Sequence, residues 1–269
     1  MGPVIVSFEG EIGAGKSSLL EIVDRSLTAL GCTTCSIPEP VDQWKENGIL
    51  QTFYANPQEM AYTFQTYVYT TRVLTMKKAI EVCGTYSNRG QSLCERCSRT
   101  FATDTTPDFI ITERSPLTDR YVFMETQKKH IPKQLIPLYE EGWETWMGLL
   151  PDHLNPNKTR CVWKCVYLKP TLAQCMSRIK DRGREAESDK VSLEYQVELR
   201  RAHERLFQGK EGGVKGVPFN PERDVCIVEG ALADEDFRQT PSQEKVVKHI
   251  LRFILGDSGR LDDLYPGST

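Results

Sequence analysis

Residues Gly10-Glu11-Ile12-Gly13-Ala14-Gly15-Lys16-Ser17 follow the G-x-x-x-x-G-K-[ST] phosphate-loop pattern, between the apolar run Val4-Ile5-Val6-Ser7-Phe8 and a helical pattern opening on Leu19-Leu20-Ile22-Val23. This context separates the motif from a chance glycine-rich turn. A strand delivers the chain into a turn whose glycines let backbone N–H groups close on phosphate oxygens, and the helix after it aims its positive end at the same place. Gly10, Gly13, Ala14, Gly15 and Ser18 complete the candidate cradle, Lys16 adds a point charge for the outer phosphates, and Ser17 offers a hydroxyl to Mg²⁺.

The rest of the chain continues the alternation. Strands are expected at 3–8, 32–37, 108–112, 161–168 and 224–229, with helical segments near 16–30, 57–82, 117–128, 133–149, 170–181, 191–208 and 241–255. Short apolar strands between longer helices predict an α/β fold: a five-stranded parallel sheet with helices on both faces. One domain over 1–255 is expected, with a polar, cysteine-bearing insertion near 83–106, a lid near 178–190 and a polar tail at 256–269. Ligand sites in such sheets form where strands end, so the residues just after each strand are the candidates for chemistry.

A net charge of −3 gives no global field for a nucleic-acid polymer, and no apolar run approaches the ~20 residues of a membrane span. The first strand begins so early that no leader is expected, and Met1-Gly2-Pro3 carries Val6 where a myristoylation site wants Ser or Thr. Nine cysteines without a secretory signal imply reduced thiols and a cytoplasmic location. Cys32 and Cys35 read as small apolar residues of the second strand. Cys94-x-x-Cys97 with Cys83 leaves two readings: half a zinc site lacking an obvious fourth ligand, or loosely packed thiols.

After the second strand comes Glu39-Pro40-Val41-Asp42-Gln43-Trp44. A carboxylate there, opposite the phosphate loop, suits a general base for a hydroxyl nucleophile, with a helix N-terminal carboxylate as the plain alternative. After the third comes Glu113-Arg114, a metal-reaching acid and a phosphate- or substrate-facing arginine, or otherwise a salt-bridged strand end. Arg178, Arg182 and Arg184 converge around Gly183, either as a lid suited to a transferring phosphoryl group or as a solvated charge run. Phe64, Gln65, Val68 and Arg72 share a helix face that fits a nucleobase slot, or a partly buried helix whose polar groups find local partners.

In order, Gly-x-Ile-Gly-x-Gly-Lys-Ser, Glu-Pro-Val-x-x-Trp, Ile-Leu-Gln-x-Phe-Tyr, Thr-Phe-Gln-Thr-Tyr, Glu-Arg-Ser, Asp-Arg-Tyr-x-Phe, Trp-x-x-Trp-Met and Arg-x-x-x-Arg-Gly-Arg resemble the deoxynucleoside kinase family over residues 3–237. The resemblance implies a P-loop nucleoside-kinase fold with an Arg-rich lid, acting in nucleotide salvage as a homodimer. ATP or another nucleoside triphosphate with Mg²⁺ would phosphorylate a deoxynucleoside 5′-hydroxyl. Glu39 would take the proton and Arg114 would orient it. Ser17 and Glu113 would hold Mg²⁺. Arg178, Arg182 and Arg184 would close over the phosphates, while Tyr54 and Glu187 would bind the 3′-hydroxyl. Gln65 would read the base, Phe123 would stack on it, and Ile12, Val41, Trp44, Leu50, Phe53 and Phe64 would surround it. Arg72 with Asp119 favours deoxycytidine or a deoxypurine over thymidine, because a carboxylate repels a thymine carbonyl.

The departures are Val68, bulkier than the Ala common there; Glu11, where Asn is usual; and the insertion. A thymidine or broad-pyrimidine kinase is the alternative, and a nucleoside monophosphate kinase a more distant one, since Glu39 would repel an acceptor phosphate.

Overall fold

A computed structural model describes residues 3–84, 92–94, 99–101, 107–150, 162–183, 190–214, 217, 219–234, 236–237 and 240–256, with backbone only for 80–84, 92–94, 99–101 and 240–242. The central sheet has five parallel strands, β1 (Val4–Gly10), β2 (Thr34–Ile37), β5 (Phe109–Glu113), β6 (Val162–Lys169) and β7 (Val225–Glu229), in the order β2-β5-β1-β6-β7. The chain leaves β1 toward β2 and β5 on one side and later fills the other side with β6 and β7. The carboxyl end of β1 is therefore the crevice where the strand order reverses, and the phosphate loop stands there.

Alternation along β1 divides the core. Ile5 packs into one apolar cluster with Tyr69, Val73, Trp143 and Leu199, while Val6 and Phe8 join Leu19, Val23 and Ile250 in another. The first cluster is covered by α4 (Pro57–Gly84), α7 (Leu135–Gly148) and α9 (Leu193–Gln208), and the second by α1 (Lys16–Ala29) and α12 (Thr240–Leu255). Burial on both faces explains why the strands read as near-continuous apolar runs. Toward the carboxyl end of β1, Ser7 and Glu9 replace apolar residues, and the buried Glu9 carboxylate accepts a hydrogen bond from Thr118 Oγ1 at 2.6 Å.

The expected helices are present with local differences. Two short helices, α2 (Val41–Glu46) and α3 (Ile49–Ala55), lead into α4. The segment expected as one helix over 117–128 divides into α5 (Pro116–Thr118), a π-helical stretch (Asp119–Met124) and α6 (Glu125–Gln127), a form in which backbone hydrogen bonds skip one residue further. Helix α8 (Leu172–Arg182) starts on Thr171, whose side chain accepts from Gln174 N, and stops at Gly183 with φ of 61°. Within the expected insertion, β3 (Ser92–Cys94) and β4 (Arg99–Phe101) pair antiparallel. The remainder of that stretch, the thiols of Cys83, Cys94 and Cys97, and the polar tail after 256 lie outside the described residues.

Candidate active site

The turn after β1 is shaped by contacts that exclude side chains. At Gly10 and Gly13, with φ of 142° and 80°, an added Cβ would lie 2.5 Å from the carbonyl oxygens of Leu168 and Cys175, and at Gly15 (φ 94°) 2.9 Å from the Phe237 ring. Four of the loop's carbonyls are engaged by side chains. Gly10 O accepts from Arg114 Nη1 at 2.8 Å, Glu11 O from Lys16 Nζ at 2.9 Å, Ile12 O from Gln196 Nε2 at 2.7 Å and Ala14 O from Arg178 Nη1 at 3.0 Å. With the oxygens occupied, N–H groups are left to face an anion. Lys16 is buried at the start of α1; burial, reinforced by Arg114, lowers its pKa to about 8.

Beside the loop lies a cavity of about 230 Å³ lined by Ile12, Glu39, Val41, Trp44, Leu50, Phe53, Tyr54, Phe64, Gln65, Val68, Arg72 and Phe123. Its apolar wall is an aromatic stack: Phe53 lies parallel to Phe64 at 4.3 Å, and Trp44 meets Phe64 edge-on at 6.2 Å. Trp44 is fixed by donating its indole N–H to Thr71 Oγ1 at 3.0 Å. Gln65 is buried in this wall, and its Oε1 has no hydrogen-bond partner among the described residues. A buried amide oxygen left without a partner costs about 1–3 kcal/mol unless a bound group supplies a donor.

The cavity's other wall is charged. Arg72 donates from Nη2 to Glu39 Oε1 at 2.9 Å, from Nε to Asp119 Oδ2 at 2.7 Å and from Nη1 to Glu113 O at 3.0 Å. Arg114 Nε stands 3.3 Å from the same Glu39 oxygen, and its guanidinium lies 4.6 Å from the Phe123 ring centre. Burial alone would raise the Glu39 carboxyl, but Arg114, Arg72 and Lys16 outweigh it and hold it down to about 2. For Asp119 the balance reverses: complete burial lifts it to about 6 even against Arg72. Arg114 itself has φ of 65°, a left-handed backbone that costs a non-glycine residue about 1–3 kcal/mol. That turn folds its side chain back under Glu39.

A second groove, about 430 Å³, is lined by Gly15, Ser18, Arg178, Asp181, Asp236 and Phe237, and five residues line both spaces: Gly13, Lys16, Ser17, Glu113 and Arg182. Arg178 stacks over Phe237 at 5.4 Å. At the shared wall Ser17 Oγ donates to Glu113 Oε1 at 3.0 Å. A hydroxyl and a carboxylate are the hard oxygen donors that a divalent cation such as Mg²⁺ takes, so the pair fits that ion.

The structure thus gathers most of the predicted site residues around two connected spaces. Asp119 is an exception: it does not line the cavity but sits behind Arg72, with its Oδ1 unpartnered. Arg184 and Glu187 lie outside the described residues. Pro38, Asp42 and Tyr195 line the cavity without having been singled out, and nothing in their local sequence marks them. The ion pair between Arg72 and Glu39 was equally hidden, since the sequence reading directs Arg72 to a base edge. Glu11 is buried among cationic and hydroxyl partners from β6 and α9.

A family model for deoxynucleoside kinase matches residues 6–255. Deoxycytidine kinase 2 of Gallus gallus is 27% identical over 93% of this chain and 89% of its own length. Deoxycytidine kinase of Homo sapiens is 26% identical over 74% and 73% of the respective chains. Mitochondrial deoxyguanosine kinase of Xenopus laevis is 25% identical over 93% and 89%. The chain belongs to the deoxynucleoside kinase family, and it is an enzyme of that class, using a nucleoside triphosphate with a metal ion. No helix among the described residues is long and apolar enough to cross a membrane.

Proposed function

We propose that this kinase transfers the γ-phosphoryl group of ATP to the 5′-hydroxyl of deoxycytidine or a deoxypurine nucleoside. The observation that carries the proposal is the meeting of the two spaces: Glu39 lines only the aromatic cavity, and the phosphate loop lies between that cavity and the groove. A sugar alcohol beside Glu39 faces a triphosphate seated on the loop. The hydroxyl proton passes to the Glu39 carboxylate as oxygen bonds to the γ-phosphorus and the bond to the β-phosphate bridge breaks, leaving ADP.

A carboxylate held at about 2 is a weak base. That suits phosphoryl transfer through a loose transition state, in which little depends on the base's strength and most on positioning. Arg72 and Arg114 supply that positioning by fixing one carboxylate oxygen between them. Arg178 and Arg182, joined in our reading by Arg184, stabilise charge on the equatorial oxygens. Mg²⁺, held by Ser17 and Glu113, would neutralise charge on the phosphates.

Gln65 Oε1, buried and unpartnered, suits a nucleobase amino group, and Tyr54 on the cavity wall suits the 3′-hydroxyl together with Glu187. The preference for deoxycytidine or a deoxypurine draws on the Arg72–Asp119 pair and on the named activities of the relatives. We further propose a homodimer, on the exposed apolar side chains Leu138 and Leu149 in and just beyond α7, and a cytoplasmic location, on the buried thiols of Cys32, Cys35, Cys165, Cys175 and Cys226. The test is incubation with MgATP and each of the four deoxynucleosides and their monophosphates, following ADP. Turnover of deoxycytidine or a deoxypurine nucleoside is expected, and turnover confined to monophosphates overturns the proposal.

A further inference from the structure

The phosphate loop contains a buried acid, which is an electrostatic oddity. Glu11 is fully buried directly beside a site built for anions, where an unpaired carboxylate would repel a triphosphate. Its charge is met from behind. Arg200 on α9 donates from Nε to Glu11 Oε1 at 2.5 Å and from Nη2 to Oε2 at 3.1 Å, a two-point contact. Tyr167 on β6 donates its hydroxyl to Oε1 at 3.0 Å, and Arg200 Nη2 also donates to Pro170 O.

One turn earlier on α9, Gln196 donates to Ile12 O, so two consecutive loop residues are tied to the same helix. The main-chain oxygen of Glu11 in turn accepts from Lys16 Nζ, the ammonium that serves the outer phosphates. The acid therefore reaches the donor site in two ways. Its side chain anchors the loop to α9, and its charge is compatible with phosphate only while Arg200 offsets it.

We infer that Glu11 and Arg200 form a positioning pair for the triphosphate donor: α9 sets the phosphate loop through Glu11, and Arg200 screens that carboxylate from the bound phosphates. Neither side chain lines the nucleoside cavity or the donor groove. The consequence is asymmetric. Removing Arg200 strands a negative charge beside the donor, whereas removing the charge of Glu11 leaves a cation there.

The inference rests on the kinase reading with ATP as donor, and steady-state kinetics on the intact enzyme separates the two. Arg200→Met is expected to raise KM for ATP roughly ten- to a hundredfold while KM for the deoxynucleoside changes by less than about twofold. Adding Glu11→Gln to Arg200→Met is expected to recover the part of that loss that comes from the stranded charge, bringing KM for ATP several-fold below that of the single variant. A merely structural role predicts the opposite, with the double variant at least as impaired as the single and both KM values moving together; that result overturns the pair. Should Arg200→Met fail to fold, Arg200→Gln removes the charge while keeping a polar side chain, and an unchanged KM for ATP in it overturns the pair as well. A wild-type enzyme that phosphorylates no deoxynucleoside sinks the functional reading, whereas an active wild type with indifferent variants sinks only this inference.

Discussion

The aromatic cavity and the phosphate-loop groove share a wall at Lys16, Ser17 and Glu113, yet different parts of the chain shape them. The cavity is bounded by side chains: an aromatic stack on one side and, on the other, Glu39 held between Arg72 and Arg114. The groove's phosphate end is bounded by backbone, with glycines that lack room for a methyl group and carbonyls pulled aside by four donors. Side-chain walls can be retuned one residue at a time, and backbone walls break as a unit. Acceptor choice should therefore vary by degrees, while a change in the loop's own backbone should disturb several donor contacts at once.

The harshest challenge to that division is Glu39→Gln, which keeps the shape of the acceptor wall and removes its charge. We expect kcat to fall by roughly 10²- to 10⁴-fold with far smaller change in nucleoside KM. Unchanged kcat in a single-turnover assay removes Glu39 from the chemistry. On the donor side, Gly13→Ala places a methyl group 2.5 Å from Cys175 O at a φ of 80°. Here kcat/KM for ATP should drop about a hundredfold, corresponding to a loss of about 2–3 kcal/mol, with nucleoside binding by calorimetry retained. A variant that binds ATP normally would show the loop to be more pliant than its packing implies.

A graded effect is expected from Arg72→Met with Asp119→Asn. Thymidine use relative to deoxycytidine should rise by about tenfold, as one or two polar contacts allow, while total turnover declines because Arg72 also holds Glu39. An unmoved ratio in competition assays would detach the pair from base choice.

The mildest effect is that of pH, and each region contributes one limb. Burial lifts Asp119 to about 6, so falling pH through that value protonates it, leaves Glu39 as the one anionic side chain on Arg72 and should lower kcat/KM for the nucleoside a few-fold. Burial lowers Lys16 to about 8, so rising pH beyond that value removes its charge and should weaken kcat/KM for ATP. Glu39, held at about 2, stays ionised throughout and adds no limb in between. Asp119→Asn should erase only the acid limb, read from rate profiles for each substrate.

Much of this architecture could be read before any coordinates. The five strands fall within a residue or two of expectation because burial on both faces gives each an apolar run bounded by turn residues. The gathering of the phosphate loop, Glu39, Glu113 and Arg114 at one end of the sheet was legible because each stands at the end of a strand or just after it. What escaped were side-chain relationships across long stretches of chain. Arg72 lies 33 residues from Glu39, and Glu11 lies 189 residues from Arg200, so no local pattern announces either pair. The π-helical stretch over Asp119–Met124 was missed for a different reason: six residues hold little more than one turn, too few for a wider period to show in the apolar pattern.

Position 114 is caught between two demands that no genetically encoded amino acid satisfies together. Its main chain would be most at ease with glycine, while the proposed mechanism calls for a guanidinium beside Glu39. On the proposed mechanism, relieving that local strain with Arg114→Gly should steady the fold and abolish turnover together. A designer seeking thermal robustness should look elsewhere in the sheet and accept this one uncomfortable corner as fixed.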